Sequence, residues 1–401
     1  MKQFLAGRAA RVKTSFREDR DFSLYVLAGV FIGAATGIYT TVFNNYLSDI
    51  FMLTAEARGV VEFPRELPGT LVVLVLGALA FLGDVRMAAL AMVASALGLV
   101  GLGLFSPSFG VMLVWLMIYS MGLHMYLPLN PTIGMSLSQK ESYGVRLGLY
   151  SAYALIATII GYGVVWVGFR LLGLTYSGAF VIAGILFACA FFVFRMMKRT
   201  PPAARKVKLV FRKKYSLYYA LSLVNGARKQ IFLTFAPWVL IQVYGLDPPI
   251  FAILGVIIAL VSIGTRTIVG RAIDERGERF VLSVEAVILI VICFGYTFSE
   301  DLLPRAIALA IVSACYILDS SMSVVEMARS TYVKKIAICP EDVTPTLSAG
   351  VSLDHVVAMT VPTLGGLLWA ATGAHGYKYI FMADAVFATL NLLLSRRMKI
   401  E

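Results

Sequence analysis

Twelve apolar runs, spaced along the whole chain, constrain its fold more than any motif does. They fall at roughly 22–47, 57–83, 87–105, 109–134, 146–171, 176–196, 216–244, 249–269, 280–298, 303–327, 346–371 and 376–395. A helix rises about 1.5 Å per residue, so about 20 residues cross the hydrocarbon layer of a bilayer. Inside that layer each backbone N–H and C=O needs an internal partner, which makes runs of this length helices. Only 14% of the 401 residues are charged and 59% are hydrophobic. Soluble domains average about 25% charged. No single water-soluble core hides so much apolar surface, and the predicted class is an all-α polytopic membrane protein with twelve transmembrane helices. The second run is the weakest, because Arg58, Glu62, Arg65 and Glu66 lie at its start.

Loop charge predicts the orientation, since cytoplasmic loops concentrate Lys and Arg. With the N-terminus in the cytoplasm, 28 of the 35 basic residues fall on that side. Five fall outside: Arg58, Arg65, Arg170, Arg305 and Lys378. Arg228 and Lys229 lie within the seventh run. Both termini are therefore expected in the cytoplasm. The net charge of +12 reads as a topology signal, with no nucleic-acid partner implied. The first twenty residues are basic and lack an apolar h-region, so no cleavable signal peptide is expected. The longest basic segment, 195–214, follows the sixth run and contains Pro201-Pro202. It divides six spans from six. The expected organisation is a basic tail (1–21), a six-helix bundle (22–196), a basic linker (197–215) and a second, pseudo-symmetric six-helix bundle (216–396).

Cysteine and histidine are sparse. Cys189, Cys293, Cys315 and Cys339 are scattered without a CxxC pair, and the three histidines lie far apart. Neither a metal site nor a cofactor is expected. No HExxH or GxSxG motif suggests a membrane enzyme.

Between the eighth and ninth runs lies Gly270–Arg279, GRAIDERGER, with six charges in ten residues. A second, weaker corner lies between the second and third runs, at Leu82-Gly83-Asp84-Val85-Arg86. The chain resembles the major facilitator superfamily, whose corresponding loops carry G-x-L-A-D-x-x-G-x-[RK]. Gly270, Asp274, Gly277 and Arg279 match that pattern. In the first corner Asp84 and Arg86 remain, but Ala80 and Met87 stand where the pattern has glycine. The resemblance spans about residues 20–396. It implies a cytoplasmic gate in which these acids face helix N-termini of the opposite half, Asp84 toward the eleventh helix and Asp274 toward the fifth. Drug–proton antiporters of that family carry Arg in the fourth helix and Gly-Pro in the fifth. Here the fourth span, YSMGLHMYLPLNP, has no Arg, and Gly161, Gly163 and Gly168 have no adjoining Pro.

Ionisable groups inside a span are costly and read as functional by default. In the resembled fold, helices 1, 4, 7 and 10 line a central cavity. That ranks Arg228 and Lys229 first as ligands for an anionic solute, with Asn225 one turn away and His124 and Asn45 as further substrate-binding candidates. Asp319, Ser323 and Glu326 share one stripe of the tenth span. Asp319 is the proton-coupling candidate, either alone or paired to Arg228 or Lys229. Glu326, Asp354 and His355 are further candidates, because a histidine titrates near neutral pH. Glu285 and Asp384 fall in spans expected to face lipid and read as structural pairs. Arg58, Glu62, Arg65 and Glu66 are spaced for an ion-pair network at the outer mouth of the second span.

The resulting expectation is a monomeric secondary transporter of the cytoplasmic membrane. It takes a small solute, with an organic anion favoured, a proton or other ion as the coupling partner, and lipid as its surroundings. An exporter of amphipathic drugs or lipids is the alternative of the same class. A transport-inactive sensor or assembly factor is the alternative of another.

Overall fold

The computed structural model describes residues 19–137, 143–198 and 211–398. Most of the expected basic tail, and residues 199–210 of the expected linker, lie outside the described residues. The described chain is all-α. Its helices are α1 (Arg20–Asp49), α2 (Ala55–Ala78), α3 (Asp84–Leu104), α4 (Phe109–Ser136), α5 (Tyr143–Leu171) and α6 (Tyr176–Met196). They continue with α7 (Ser216–Gln242), α8 (Pro248–Leu302), α9 (Arg305–Met322), α10 (Glu326–Ile336), α11 (Val343–Thr372) and α12 (Gly376–Arg396). Among the described residues, eight helical segments are long and apolar enough to cross a membrane. Neither α2 nor α7 is among them. Those two carry the charges the chain folds inward, Arg58 to Glu66 and Arg228–Lys229.

Local chemistry accounts for the helix starts. Asp19 caps α1 by accepting from Phe22 N at 3.0 Å. Thr175 caps α6 through Gly178 N, and Asp247 caps α8 through Ile250 N with Pro248 at the first turn. Four helices hold internal prolines: Pro64 and Pro68 in α2, Pro128 and Pro131 in α4, Pro237 in α7 and Pro362 in α11. Such breaks are tolerated where neighbouring helices satisfy the freed backbone groups.

Two boundaries differ from the hydropathy reading. The eighth and ninth runs form one helical element, α8, interrupted at Gly277 (φ 80°, ψ 167°). The tenth run is split by a short 3₁₀ turn, Ser323–Val325, into α9 and α10. The charge density of 270–279 predicts a loop there. A charged helix is equally compatible with that composition, so only the glycine dihedral marks the corner.

The chain forms two compact units, one of residues 1–40 with 71–205, the other of 41–70 with 206–401. In the first, α1 packs tightly on α5, where Thr158 Oγ1 donates to Gly33 O at 3.1 Å. A tyrosine cluster joins α1, α4 and α5. Tyr25 donates to Asn130 Oδ1 at 2.6 Å, Tyr126 and Tyr150 share a 2.7 Å hydrogen bond, and Tyr25 stacks on Tyr150. In the second unit, the start of α2 lies against α11. A methyl group at Gly366 would stand 2.8 Å from the Ala55 carbonyl oxygen, so only glycine fits. The chain entering α7 is tied to the start of α11, since Arg212 and Tyr215 both bond the Asp342 carboxylate, at 3.0 and 2.7 Å.

Candidate functional site

The second unit holds a cavity of about 540 Å³ between α7, α8, α9, α10 and α11. Its polar lining comes from Ser222, Asn225, Arg228 and Lys229 on α7, Glu285 on α8, Asp319 and Ser320 on α9, Glu326 and Arg329 on α10, and Asp354 on α11. Six of the nine residues expected for substrate or proton binding meet here: Asn225, Arg228, Lys229, Asp319, Glu326 and Asp354. The arrangement is a set of matched charges. Arg228 Nη1 is paired with Asp319 Oδ1. Lys229 Nζ lies 2.5 Å from Asp354 Oδ2. Arg228 and Lys229 are about 100° apart around α7, which is why each reaches a different partner helix, α9 and α11.

Arg329 organises the lower part of the cavity. Its Nη2 donates to Glu285 at 2.7 Å and to Asn225 Oδ1 at 2.9 Å, and its Nη1 reaches Glu326 at 3.2 Å. Arg329 is 2% exposed and Glu285 4%. Glu285 was expected to face lipid and is instead enclosed in the protein. Asp384, given the same expectation, is fully buried on α12. The number of a span in the chain does not phase its faces, and a charge in a helix turns inward wherever partners exist. Counting every ionisable group in the ninth and twelfth spans as functional would have found both.

Asn45 and His124 do not line this cavity. Asn45 Nδ2 donates to the Leu246 carbonyl at 2.8 Å and ties α1 to the turn before α8. His124 Nδ1 bonds Ser120 one turn back on α4.

The residues expected at the outer mouth form a network, and it is buried rather than open. Glu62 receives Arg58 Nη1 at 2.6 Å, Arg65 Nε at 2.6 Å and Gln230 Nε2 at 2.8 Å. Glu66 receives Arg65 at 2.7 Å and lies 3.0 Å from His355 Nδ1. The network therefore reaches α7 through Gln230 and α11 through His355. Gln230 escaped sequence analysis, since an amide carries no charge signal.

The two charged corners share a backbone feature. Gly83 (φ 75°, ψ 160°) stands immediately before α3, and Gly277 has nearly the same angles before the second part of α8. Both lie where only glycine sits without strain. Superposing these glycines pairs Asp84 with Glu278 and Ala80 with Asp274, four residues from the register the motif suggests. Asp274 and Arg279 are exposed, and Gly270 has open space around it. Glu278 is the buried acid of this corner, with Lys335 of α10 at 2.7 Å. Arg86 donates to the Arg195 carbonyl at 3.1 Å, closing α3 onto the end of α6.

Comparison with known proteins gives one family and one fold. The sequence model of the Major Facilitator Superfamily matches residues 25–349. No curated protein sequence matches the chain. Among solved structures, a point mutant of the nucleoside transporter NupG is similar at TM-score 0.74 and 15% identity, covering 93% of this chain and 98% of that one. A bacterial homologue of the human lysosomal transporter Spinster, inward-facing and occupied, is similar at TM-score 0.71 and 16% identity, covering 93% and 95%. A D-xylose–proton symporter is similar at 0.69 and 13%, covering 94% and 96%. With its all-α membrane-spanning architecture and a family match over four-fifths of its length, this chain is a membrane transporter of the Major Facilitator Superfamily.

Proposed function

We propose that the protein is a secondary active transporter that moves a small organic anion together with a proton. The proposed architecture is twelve transmembrane helices in two six-helix bundles, 22–196 and 216–396, with both termini cytoplasmic. Solute binds in the cavity of the second bundle, and access alternates between the two faces of the membrane. The corners at Gly83 and Gly277 belong to the cytoplasmic gate.

One observation carries the anion–proton reading. Each cation that lines the cavity already holds a carboxylate: Arg228 holds Asp319, Lys229 holds Asp354, and Arg329 holds Glu285 and Glu326. Counted as ionised, three cations face four acids. A solute carboxylate can reach Arg228 or Lys229 only by displacing Asp319 or Asp354. The displaced side chain is then a carboxylate beside another anion in a partly enclosed site, and a proton removes that repulsion. Anion binding and proton uptake are thereby linked at the same pair. The fold neighbours include transporters of nucleosides and of xylose with protons, and solute–proton coupling is compatible with the fold.

The test is counterflow in proteoliposomes with radiolabelled mono- and dicarboxylates, with and without an imposed proton gradient. Arg228→Gln and Lys229→Gln should each lower carboxylate exchange at least tenfold. If both variants exchange carboxylates like the wild type, the anion site is elsewhere. If exchange is intact but no carboxylate accumulates under a proton gradient, the coupling is refuted.

A further inference from the structure

We infer that Asp384 is a proton-binding group of the second unit, and that one proton is shared by Asp384 and Asp319 across Arg228. Its role in transport rests on the anion–proton reading above; its structural basis does not.

Asp384 is 0% exposed, on α12. Its Oδ2 accepts from the Cys293 thiol at 3.4 Å, and its Oδ1 has no hydrogen-bond partner among the described residues. Arg228 stands in the field of Asp319, Asp384 and Glu285. Its Nη1 is given to Asp319, while its buried Nε has no partner among the described residues. The cation thus keeps one buried donor unused, and the acid one buried acceptor.

The enclosed charges do not balance. Asp319, Glu285 and Asp384 are buried acids of α9, α8 and α12; Arg228 and Arg329 are buried cations of α7 and α10. Glu285 takes Arg329 and Asp319 takes Arg228. Asp384 is left with a thiol. An ionised carboxylate in that position is expensive, and protonation removes the cost.

The surroundings on every packed element agree. From α7 comes Arg228. From α8 come Cys293 and, one turn on, Tyr296, which stacks on Phe381 at 4.2 Å and covers the site with aromatic surface. Asp319 of α9 acts on Asp384 through its charge. The remaining neighbour of α12 is α11, whose Asp354 and His355 are engaged by Lys229 and Glu66.

Asp319 lines the cavity and Asp384 does not. The guanidinium of Arg228 therefore separates a solvent-facing acid from a hidden one. When Arg228 turns to Asp384, the Asp384 O–H bond breaks and its proton is released. Asp319, which has lost its cation, binds one proton and can exchange it with the cavity. One cation, one proton and two carboxyl groups are present before and after. A solute anion at Arg228 would bias the same exchange.

The experiment needs no solute. Infrared spectra of the purified protein in lipid at neutral pH should contain the C=O stretch of a protonated carboxylic acid. Asp384→Asn should remove it. Arg228→Gln leaves both acids without their cation and should increase the band about twofold. Cys293→Ala keeps the carboxyl group but deletes its thiol donor, and should shift the band frequency. A band unchanged in Asp384→Asn overturns the inference. Should that variant fail to fold, a band unmoved by Cys293→Ala overturns it equally. All three band changes in the variants, together with a wild type that exchanges no carboxylate, leave the proton site standing and refute the transport reading alone.

Discussion

Replacing Arg329 by methionine isolates the energetics of the buried cluster. The guanidinium makes three side-chain bonds, to Glu285 at 2.7 Å, Asn225 at 2.9 Å and Glu326 at 3.2 Å. Glu326 is exposed and regains water when the cation is lost. Glu285 does not, because it is enclosed. Breaking a buried pair by removing one partner costs about 3–5 kcal/mol. Losing the bond to Asn225 adds about 1–3 kcal/mol, as an acceptor left unsatisfied. A folding unit of roughly 200 residues loses about 2–4 °C per kcal/mol. Arg329→Met should therefore lower the unfolding midpoint by roughly 8–30 °C. Removing both charges is different. Buried ion pairs replaced by apolar groups of similar volume are often neutral or stabilising. The double variant Arg329→Met, Glu285→Leu should recover most of the loss, leaving about 1–3 kcal/mol for Asn225. A thiol-reactive fluorophore reports unfolding through the buried Cys293 and Cys315 once the partly exposed Cys189 and Cys339 are replaced by serine. The reasoning is refuted if the single variant melts within about 2 °C of the wild type. It is also refuted if the double variant is no more stable than the single one.

Four further outcomes are expected. Gly277→Ala should cost about 1–2 kcal/mol, because alanine is strained at φ 80°, whereas Gly270→Ala, with open space around it, should stay within about 0.5 kcal/mol; equal melting points for the two would contradict the backbone assignment of the corner. Gly366→Ala drives a methyl into the Ala55 carbonyl and should cost about 1–3 kcal/mol, readable by thermal melting, with no loss expected if α2 and α11 do not touch. Glu62→Gln leaves the buried Arg58 without its carboxylate and should cost about 3–5 kcal/mol; Gln230→Leu removes one bond to the same group and should cost less, so the reverse order in a melting series would be decisive against the network. Lys335→Ala leaves Glu278 buried without its cation, and proteolysis at the 270–279 corner should accelerate; unchanged cleavage would show that this pair does not hold the corner.

The membrane supplies the reason why the helices were legible and the site only partly so. A bilayer demands apolar runs of a given length, and that demand is written locally. Thr175 and Asp247 cap α6 and α8 at the starts that hydropathy predicts. Pairing is not local. Arg228 with Asp319 follows from two ionisable groups in spans expected to line one cavity, and it was among the pairs anticipated. Lys229 with Asp354 requires knowing that α7 lies against α11, and Gln230 with Glu62 requires knowing that the front of α2 does too. For Glu285 the expected structural pairing holds, with Arg329, but the lipid-side placement of Glu285 and Asp384 does not, because the number of a span does not fix its rotational phase. The corner motif is a similar case. Its letters align Asp84 with Asp274, whereas its dihedrals align Asp84 with Glu278.

Gly83 and Gly277 have a practical consequence for building chimaeras of this protein. Two segments can be exchanged without strain only if their ends have the same direction, and direction here is set by one left-handed residue in each corner. Splices placed by letter matching would shift one helix by four residues, about 6 Å along its axis and about 40° around it, and so misalign its buried contacts. Splices made at the glycines would keep each helix facing its own neighbours. The ancestry of the two corners is then better read from their torsion angles than from their side chains.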